Sequence, residues 1–275
     1  MNDPLISATD LLKVVDDPNM TIVDCRWYLA EPDAGITAYR RAHLPHALYA
    51  SLDTDLSASE GSGRHPLPAP EVFAATMGSL GIGANSKVVA YDDSGGAVAA
   101  RLWWMLTDQG HDAVAVLDGG IQGWTAAGGS LVDDQPAVEP RTFVSRPWRH
   151  VVDQDEVANR GNRTVIDARS TERFRGDEEP VDRKAGHIPG ARSLPLTNNL
   201  REDLTFLSPP ELRHQFGDAG ISSGSDVISQ CGSGVTACHN ILAMEVAGLG
   251  RPDLYVGSWS DWSNSDRPIA VGTEE

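Results

Sequence analysis

Seven consecutive residues, Cys231-Gly232-Ser233-Gly234-Val235-Thr236-Ala237, form the segment of this chain best suited to chemistry. They follow a run, Asp226–Gln230, whose pattern predicts a buried strand, and they lead into a helical stretch over Val235–Val246. In an open α/β sheet, ligands gather beyond the carboxyl ends of the strands, and this loop stands at such an end. Two glycines let the backbone curl so that successive N–H groups point inward, and the helix N-terminus adds a partial positive charge. Both effects favour an anionic sulfur, and the same cradle would hold an anionic substrate or a persulfide. Cys231 therefore reads as a nucleophile rather than as a packed thiol at a strand end.

The elements that must position this loop are written twice. Thr21-Ile22-Val23-Asp24 matches Thr164-Val165-Ile166-Asp167, and His43-Leu44-Pro45 matches His187-Ile188-Pro189. Pro70-Glu71 matches Pro210-Glu211, and Trp124 matches Trp262. The offset drifts from 144 at the histidines to 138 at the tryptophans, as a few loop deletions would produce. Each copy repeats one grammar: a β-branched run ending in Asp, a His-x-Pro loop, a helix opened by Pro-Glu, a buried strand, a glycine-rich turn into a helix, a further strand, and a Trp-bearing helix. Alternating strands and helices with short connections predict a parallel α/β sheet covered on both faces. Pro136, Pro140 and Pro147 mark 136–150 as a linker, leaving domains over 1–135 and 151–275. At an offset of 138, Asp93 stands opposite Cys231 and Gly96 opposite Gly234, so the first copy is expected to be catalytically silent.

Composition narrows the class. The chain has 275 residues, and 22 Lys and Arg against 39 Asp and Glu give a net charge of −17. A nucleic-acid binder would show a basic face, so that class is disfavoured. No apolar run approaches the roughly 18 residues of a membrane span, and the N-terminus has no signal pattern. These features predict a cytoplasmic protein with no membrane partner. Three cysteines, Cys25, Cys231 and Cys238, form no CxxC pair, which argues against a disulfide framework and a cysteine zinc site. Cys238 reads as packing, and Cys25 as either buried or a slow redox-sensitive thiol.

The loop resembles the active-site loop of the rhodanese superfamily, most of all its 3-mercaptopyruvate sulfurtransferase branch. The resemblance extends through Val165-Ile166-Asp167-Ala168-Arg169, Arg173-Phe174-Arg175-Gly176, Gly186-His187-Ile188-Pro189-Gly190-Ala191 and Gly257-Ser258-Trp259. In the first copy it includes Trp103-Trp104-Met105 and Leu117-Asp118-Gly119-Gly120. It implies two tandem rhodanese-like domains, each a mostly parallel sheet flanked by helices on both faces, with the nucleophile in the second. The Cys231 thiolate would take a sulfane sulfur from a small anionic donor and pass it to a thiol, such as thioredoxin or a small thiol, or to cyanide. The loop residues Gly232, Gly234, Val235 and Thr236 would cradle the substrate. Gly232 and Ser233 carry no charge, whereas thiosulfate-type members place basic residues there. The resemblance therefore favours 3-mercaptopyruvate, with thiosulfate as the alternative donor. It further implies that Arg173 and Arg183 hold the donor carboxylate and ketone. Ser233 would handle the substrate proton with a histidine, matched by context to His43; the accompanying aspartate, for which Asp33 is a candidate, stays open. No metal or cofactor is implied.

Other readings fit less well. A cysteine phosphatase needs an arginine at the sixth position after the cysteine, where this chain has Ala237. Asp92-Asp93-Ser94-Gly95-Gly96 lacks the Lys-Ser/Thr ending of a phosphate loop. His43 and His46 have no third ligand at zinc-like spacing. A non-catalytic sulfur-relay module would have no need to keep Cys231 with its glycines.

Overall fold

The computed structural model describes residues 3–31 and 33–273. The chain divides into two compact units, each built on one five-stranded parallel sheet. In unit 1 the strands are β1 (Leu5–Ile6), β2 (Met20–Asp24), β3 (Leu48–Tyr49), β4 (Lys87–Tyr91) and β5 (Val114–Leu117), in the order β1-β5-β4-β2-β3. In unit 2 they are β6 (Val151–Val152), β7 (Thr164–Asp167), β8 (Ala191–Ser193), β9 (Val227–Gln230) and β10 (Asp253–Tyr255), in the order β6-β10-β9-β7-β8. Each sheet is flanked by helices: α1 (Ala8–Leu11), α2 (Ala34–Arg41), α3 (Pro70–Ser79), α4 (Ala99–Asp108) and α5 (Gly120–Ala126) in unit 1, and α6 (Gln154–Ala158), α7 (Thr171–Arg175), α8 (Pro209–Asp218), α9 (Ala237–Val246) and α10 (Ser258–Trp262) in unit 2. The repeated sequence grammar is thus a repeated α/β fold.

The local reasons are the same in both units. The central strands are buried over nearly their whole length, which is why they read as unbroken β-branched runs. Proline opens α3 and α8, where a missing N–H costs nothing. The tryptophans of the repeat close the cores: Trp124 packs with Ile22, Leu44 and Val89, and Trp259 and Trp262 with Val165, Ile188 and Ile228.

Strand register revises the internal alignment. Asp24 pairs with Tyr91 on β4, and the matching Asp167 pairs with Gln230 on β9. Tyr91 is therefore the counterpart of Gln230, and the next residue, Asp92, is the counterpart of Cys231. Two backbone bonds agree: Ile121 N donates to Asp92 O at 3.0 Å, as Trp259 N donates to Cys231 O at 2.9 Å. The residue in place of the cysteine is Asp92, not Asp93. The loop of unit 1 runs over 92–98 before α4 and is one residue longer than that of unit 2, over 231–236 before α9. Matching glycine to glycine hid that insertion.

The units do not follow the two sequence copies throughout. Unit 1 comprises residues 3–58, 68–149 and 200–206, and unit 2 residues 59–67, 150–199 and 207–273. Phe206 N donates to Asp118 Oδ1 at 2.8 Å within unit 1. The proline-rich segment 136–150, after α5, forms no helix; it is fastened to unit 1 by Arg141 N to Gly78 O at 2.9 Å and Arg146 N to Gln109 Oε1 at 2.7 Å.

Candidate active site

Cys231 stands in unit 2 at the carboxyl end of β9. Its sulfur accepts the N–H of Gly234 at 3.1 Å and that of Ser233 at 3.4 Å. Gly234 makes this turn at φ +75°, and a Cβ there would lie 2.5 Å from Val256 O, so the backbone passes too close for any side chain. The helix begins at Ala237, two residues later than the sequence pattern predicts, and the extra loop lets the amides wrap the sulfur.

The turn from β10 into α10 locks the loop from behind. Ser258 is fully buried at φ +53°, a sparsely populated conformation for a residue with a side chain. Its hydroxyl accepts from Cys231 N at 3.1 Å and donates to Tyr255 O at 2.8 Å. Ser260 N donates to Gly232 O at 2.9 Å. The result is a preorganised anion cradle at the head of a ten-residue helix.

Ser233 is 7 % exposed, and its hydroxyl lies 2.8 Å from the ring Nδ1 of His65. His65 belongs to 59–67, the segment of the first copy that is part of unit 2. The sequence reading assigned this role to His43, and the structure does not support it. His43 is fully buried within unit 1, stacked on Tyr39 at 4.1 Å between centroids, with Nδ1 2.7 Å from Tyr39 O. His187 does the same in unit 2, stacked on Phe174 with Nδ1 2.8 Å from Phe174 O. Both are scaffold residues of the repeat. Asp33 is exposed at the start of α2. The overlooked signal was His65-Pro66-Leu67-Pro68, a second His-Pro context that follows Gly61-Ser62-Gly63.

Two guanidinium groups face the loop. A Cβ on Gly232 would lie 2.8 Å from Arg64 Nη2 and 3.5 Å from Arg173 Nη1. Arg173 Nη2 donates to Glu179 Oε1 at 2.7 Å and to Asp182 Oδ2 at 2.9 Å, while Arg64 Nη1 donates to Asp182 Oδ1. Burial raises the Asp182 carboxyl above its ordinary value, although Arg64 and Arg173 pull it back. Arg183 is exposed and lines a groove of about 570 Å3 with Arg64, Asp182, Ser260 and Asn264. Val235 and Thr236 complete the turn into α9, Thr236 as its N-cap residue.

The other cysteines are packed. Cys238 donates its thiol to Gly234 O at 3.4 Å, which braces the loop from the first turn of α9. Cys25 is fully buried in unit 1, and burial beside Asp24 and Asp92 pushes its thiol well up, so it is an inert core residue. Among the described residues, no helix is long and apolar enough to cross a membrane.

Comparison with known proteins identifies the family. Residues 7–127 and 153–265 each match the rhodanese-like domain family. The chain belongs to the rhodanese family. It is 41 % identical, over 98 % of both chains, to a Pseudomonas aeruginosa protein provisionally named a 3-mercaptopyruvate sulfurtransferase. It is 42 % identical to a Mycobacterium tuberculosis protein provisionally named a thiosulfate sulfurtransferase, over 98 % of this chain and 97 % of that one. Among solved structures, the 3-mercaptopyruvate sulfurtransferase of Leishmania major superposes with a TM-score of 0.86 at 35 % identity, covering 97 % of this rhodanese chain and 76 % of that protein.

Proposed function

We propose that this rhodanese is a sulfurtransferase that moves the sulfane sulfur of 3-mercaptopyruvate to an acceptor through a persulfide on Cys231. The observation that carries the reading is the Cys231 sulfur receiving the Ser233 and Gly234 amides at the head of α9. In the first half-reaction the thiolate attacks the donor sulfur. A bond forms between the two sulfurs, the donor C–S bond breaks, and its electron pair leaves on carbon as the enolate of pyruvate. The donor's thiol proton then passes to that carbon, and the Ser233 hydroxyl, paired with His65, is the relay. The products are pyruvate and an anionic persulfide.

The Ser233 and Gly234 amides stabilise the Cys231 thiolate before attack and again after the sulfur is handed on, and the N–H groups of Gly232, Val235 and Thr236 are the donors that would receive the charged outer sulfur of the persulfide. In the second half-reaction an acceptor thiolate, or cyanide, attacks that outer sulfur and restores the Cys231 thiolate. Thioredoxin-like proteins and small thiols are acceptors of the right chemistry. Arg173, whose guanidinium faces Gly232, is placed to hold the donor carboxylate. Cys25, Cys231 and Cys238 form no disulfide, which suits a reducing compartment such as the cytoplasm.

The name of the Mycobacterium relative favours a second reading, in which thiosulfate is the donor. Against it stand the uncharged Gly232 and Ser233, where a dianion would call for cations. The experiment is intact-mass analysis after incubation with each donor and no acceptor. The expected product is the protein plus one sulfur atom, mapped to Cys231, discharged by added thiol, and formed faster from 3-mercaptopyruvate. Cys231→Ser should form none and retain no more than about one per cent of turnover, because a hydroxyl is a poor sulfur nucleophile. Sulfur carried elsewhere, or by neither donor, refutes the proposal.

A further inference from the structure

The turn from β10 into α10 holds a serine where the silent copy holds a glycine. Ile121 N donates to Asp92 O in unit 1 as Trp259 N donates to Cys231 O in unit 2, so Gly120 is the counterpart of Ser258. Both stand in the left-handed region, Gly120 at φ +55° and Ser258 at φ +53°. Glycine enters that region at no steric cost, and serine does not. We infer that Ser258 is a positioning residue for sulfur transfer, kept in a strained conformation because its hydroxyl aims the Cys231 loop. The inference deepens the sulfurtransferase reading and rests on it for the reaction.

The hydroxyl is what glycine cannot supply. In unit 1 a Cβ on Gly120 would lie 2.4 Å from Asp92 O, so that turn excludes any side chain. In unit 2 the turn admits one, and Ser258 is fully buried. Its single O–H goes to Tyr255 O at 2.8 Å, which leaves a lone pair for Cys231 N at 3.1 Å. Tyr255 is itself held, its own hydroxyl donating to Asp261 Oδ2 at 2.6 Å. Ser258 thus ties the amide of the sulfur-bearing residue to a fixed point at the end of β10. Strain at a buried polar residue persists where the surrounding structure uses it.

Three bonds from this turn set the directions of the loop amides. Ser258 Oγ takes Cys231 N, Trp259 N donates to Cys231 O at 2.9 Å, and Ser260 N donates to Gly232 O at 2.9 Å. In a trans peptide the C=O and the following N–H point opposite ways. Drawing Cys231 O and Gly232 O back to α10 therefore turns the Gly232 and Ser233 N–H groups forward, and Ser233 N reaches the sulfur at 3.4 Å. Both hydrogen bonds of the Ser258 hydroxyl go to backbone, so it acts through the loop. The loop of unit 1 holds the Asp92 carboxyl group in place with backbone amides alone, and there the turn manages with glycine.

The test compares Ser258→Gly, which restores the residue of the silent copy and relieves the backbone, with Ser258→Ala, which keeps the strain. Both lose the hydroxyl. Rapid-quench intact mass gives the rate of persulfide formation from 3-mercaptopyruvate, and thermal unfolding gives stability. Both variants should form the persulfide about tenfold or more slowly, with the donor concentration at half-maximal rate nearly unchanged. Ser258→Ala should melt lower than Ser258→Gly, so the two differ in stability and agree in rate. A merely structural serine predicts that rate follows stability and that Ser258→Gly works at the native rate; either result overturns the inference. Should Ser258→Ala unfold, the rate of Ser258→Gly alone decides. Alkylation of Cys231 by iodoacetamide at pH 7 needs no donor, and it should also slow several-fold in both variants. Alkylation at the native rate in both overturns the positioning role. If the native protein forms no persulfide from either donor, yet alkylation depends on Ser258, the sulfurtransferase reading falls and the positioning role stands.

Discussion

Asp92 occupies in unit 1 the place that Cys231 occupies in unit 2, and its carboxylate fills the same cradle. It accepts the N–H groups of Ser94 at 2.9 Å, Gly96 at 2.8 Å, Val98 at 2.8 Å and Ala99 at 2.9 Å. The first copy thus shows the loop holding a carboxyl group: where the second copy carries the Cys231 sulfur, the first carries a permanent internal ligand. Asp92 is 1 % exposed, so its removal leaves these four amides without their acceptor. Asp92→Ala should cost at least about 3 kcal/mol, since each orphaned buried donor costs roughly 1–3 kcal/mol. Asp93→Ala removes a partner of Tyr28 at a less buried position and should cost under about 1 kcal/mol. Urea unfolding of both variants measures the difference, and an equal loss would contradict the register that makes Asp92 the counterpart of Cys231.

The pairing of His65 with Ser233 gives a kinetic prediction. If these two carry the donor's proton to carbon, His65→Ala and Ser233→Ala should each lower kcat for 3-mercaptopyruvate by roughly 10²–10⁴-fold. Thiosulfate has no thiol proton to relocate, so its turnover should fall far less. His43→Asn should instead lower stability, because it removes a stacked, fully buried ring from the core of unit 1. Steady-state kinetics with both donors on one set of variants decides the matter. A loss of kcat in His43→Asn alone, with the protein still folded, would return the role to His43.

The sequence made the Cys231 loop at the end of β9 legible because its parts are local: a strand, a cysteine, two glycines and a helix lie next to one another in the chain. The doubled α/β architecture was legible because duplicated elements keep their order. What escaped was set by long-range packing. His65 and Arg64 belong to a segment of the first copy that folds with unit 2, and nothing in 59–67 announces that destination. The histidine of the His-Leu-Pro context drew the proton role because motif context is visible in sequence and burial is not. The one-residue shift from Asp93 to Asp92 escaped for a related reason: strand register is fixed by pairing across the sheet, whereas the alignment followed residue types.

Glu179 gives a prediction on pH. Burial raises its carboxyl, but the hydrogen bonds from Arg173 at 2.7 and 3.2 Å and from the Asp182 and Val181 amides at 3.0 and 3.1 Å outweigh that and hold it below the ordinary value. A carboxyl lowered in the folded state adds stability that is complete above its unfolded value, about 4.3. That stability is lost as pH falls through the lower, folded value. Glu179→Gln cannot take part in this titration. The unfolding free energy of the native chain should therefore exceed that of Glu179→Gln by a constant amount between about pH 5.5 and 7, and the gap should shrink below about pH 4.3. Urea titrations at a series of pH values measure it. A gap that widens on acidification would mean that the Arg173 pairing does not govern Glu179.

The last prediction separates the two glycines of the loop. Gly234 is required by the backbone: at φ +75° any side chain is strained by roughly 1–2 kcal/mol, and the Cβ would press on Val256 O, which cannot yield without moving β10. Gly232 is required by its neighbours: its Cβ would meet the far ends of the Arg64 and Arg173 side chains, and Arg64, the nearer, can swing away. Gly234→Ala should accordingly lower stability by more than about 2 kcal/mol and abolish persulfide formation, because the amide that reaches the sulfur at 3.1 Å is displaced with the turn. Gly232→Ala should leave stability nearly unchanged and raise the KM for 3-mercaptopyruvate several-fold by displacing the Arg64 guanidinium that faces the loop. Thermal unfolding and donor kinetics on the two proteins test the pair. Equal loss of stability in both variants would show that the loop has no room on the Arg64 side and that glycine at 232 serves the fold rather than the substrate.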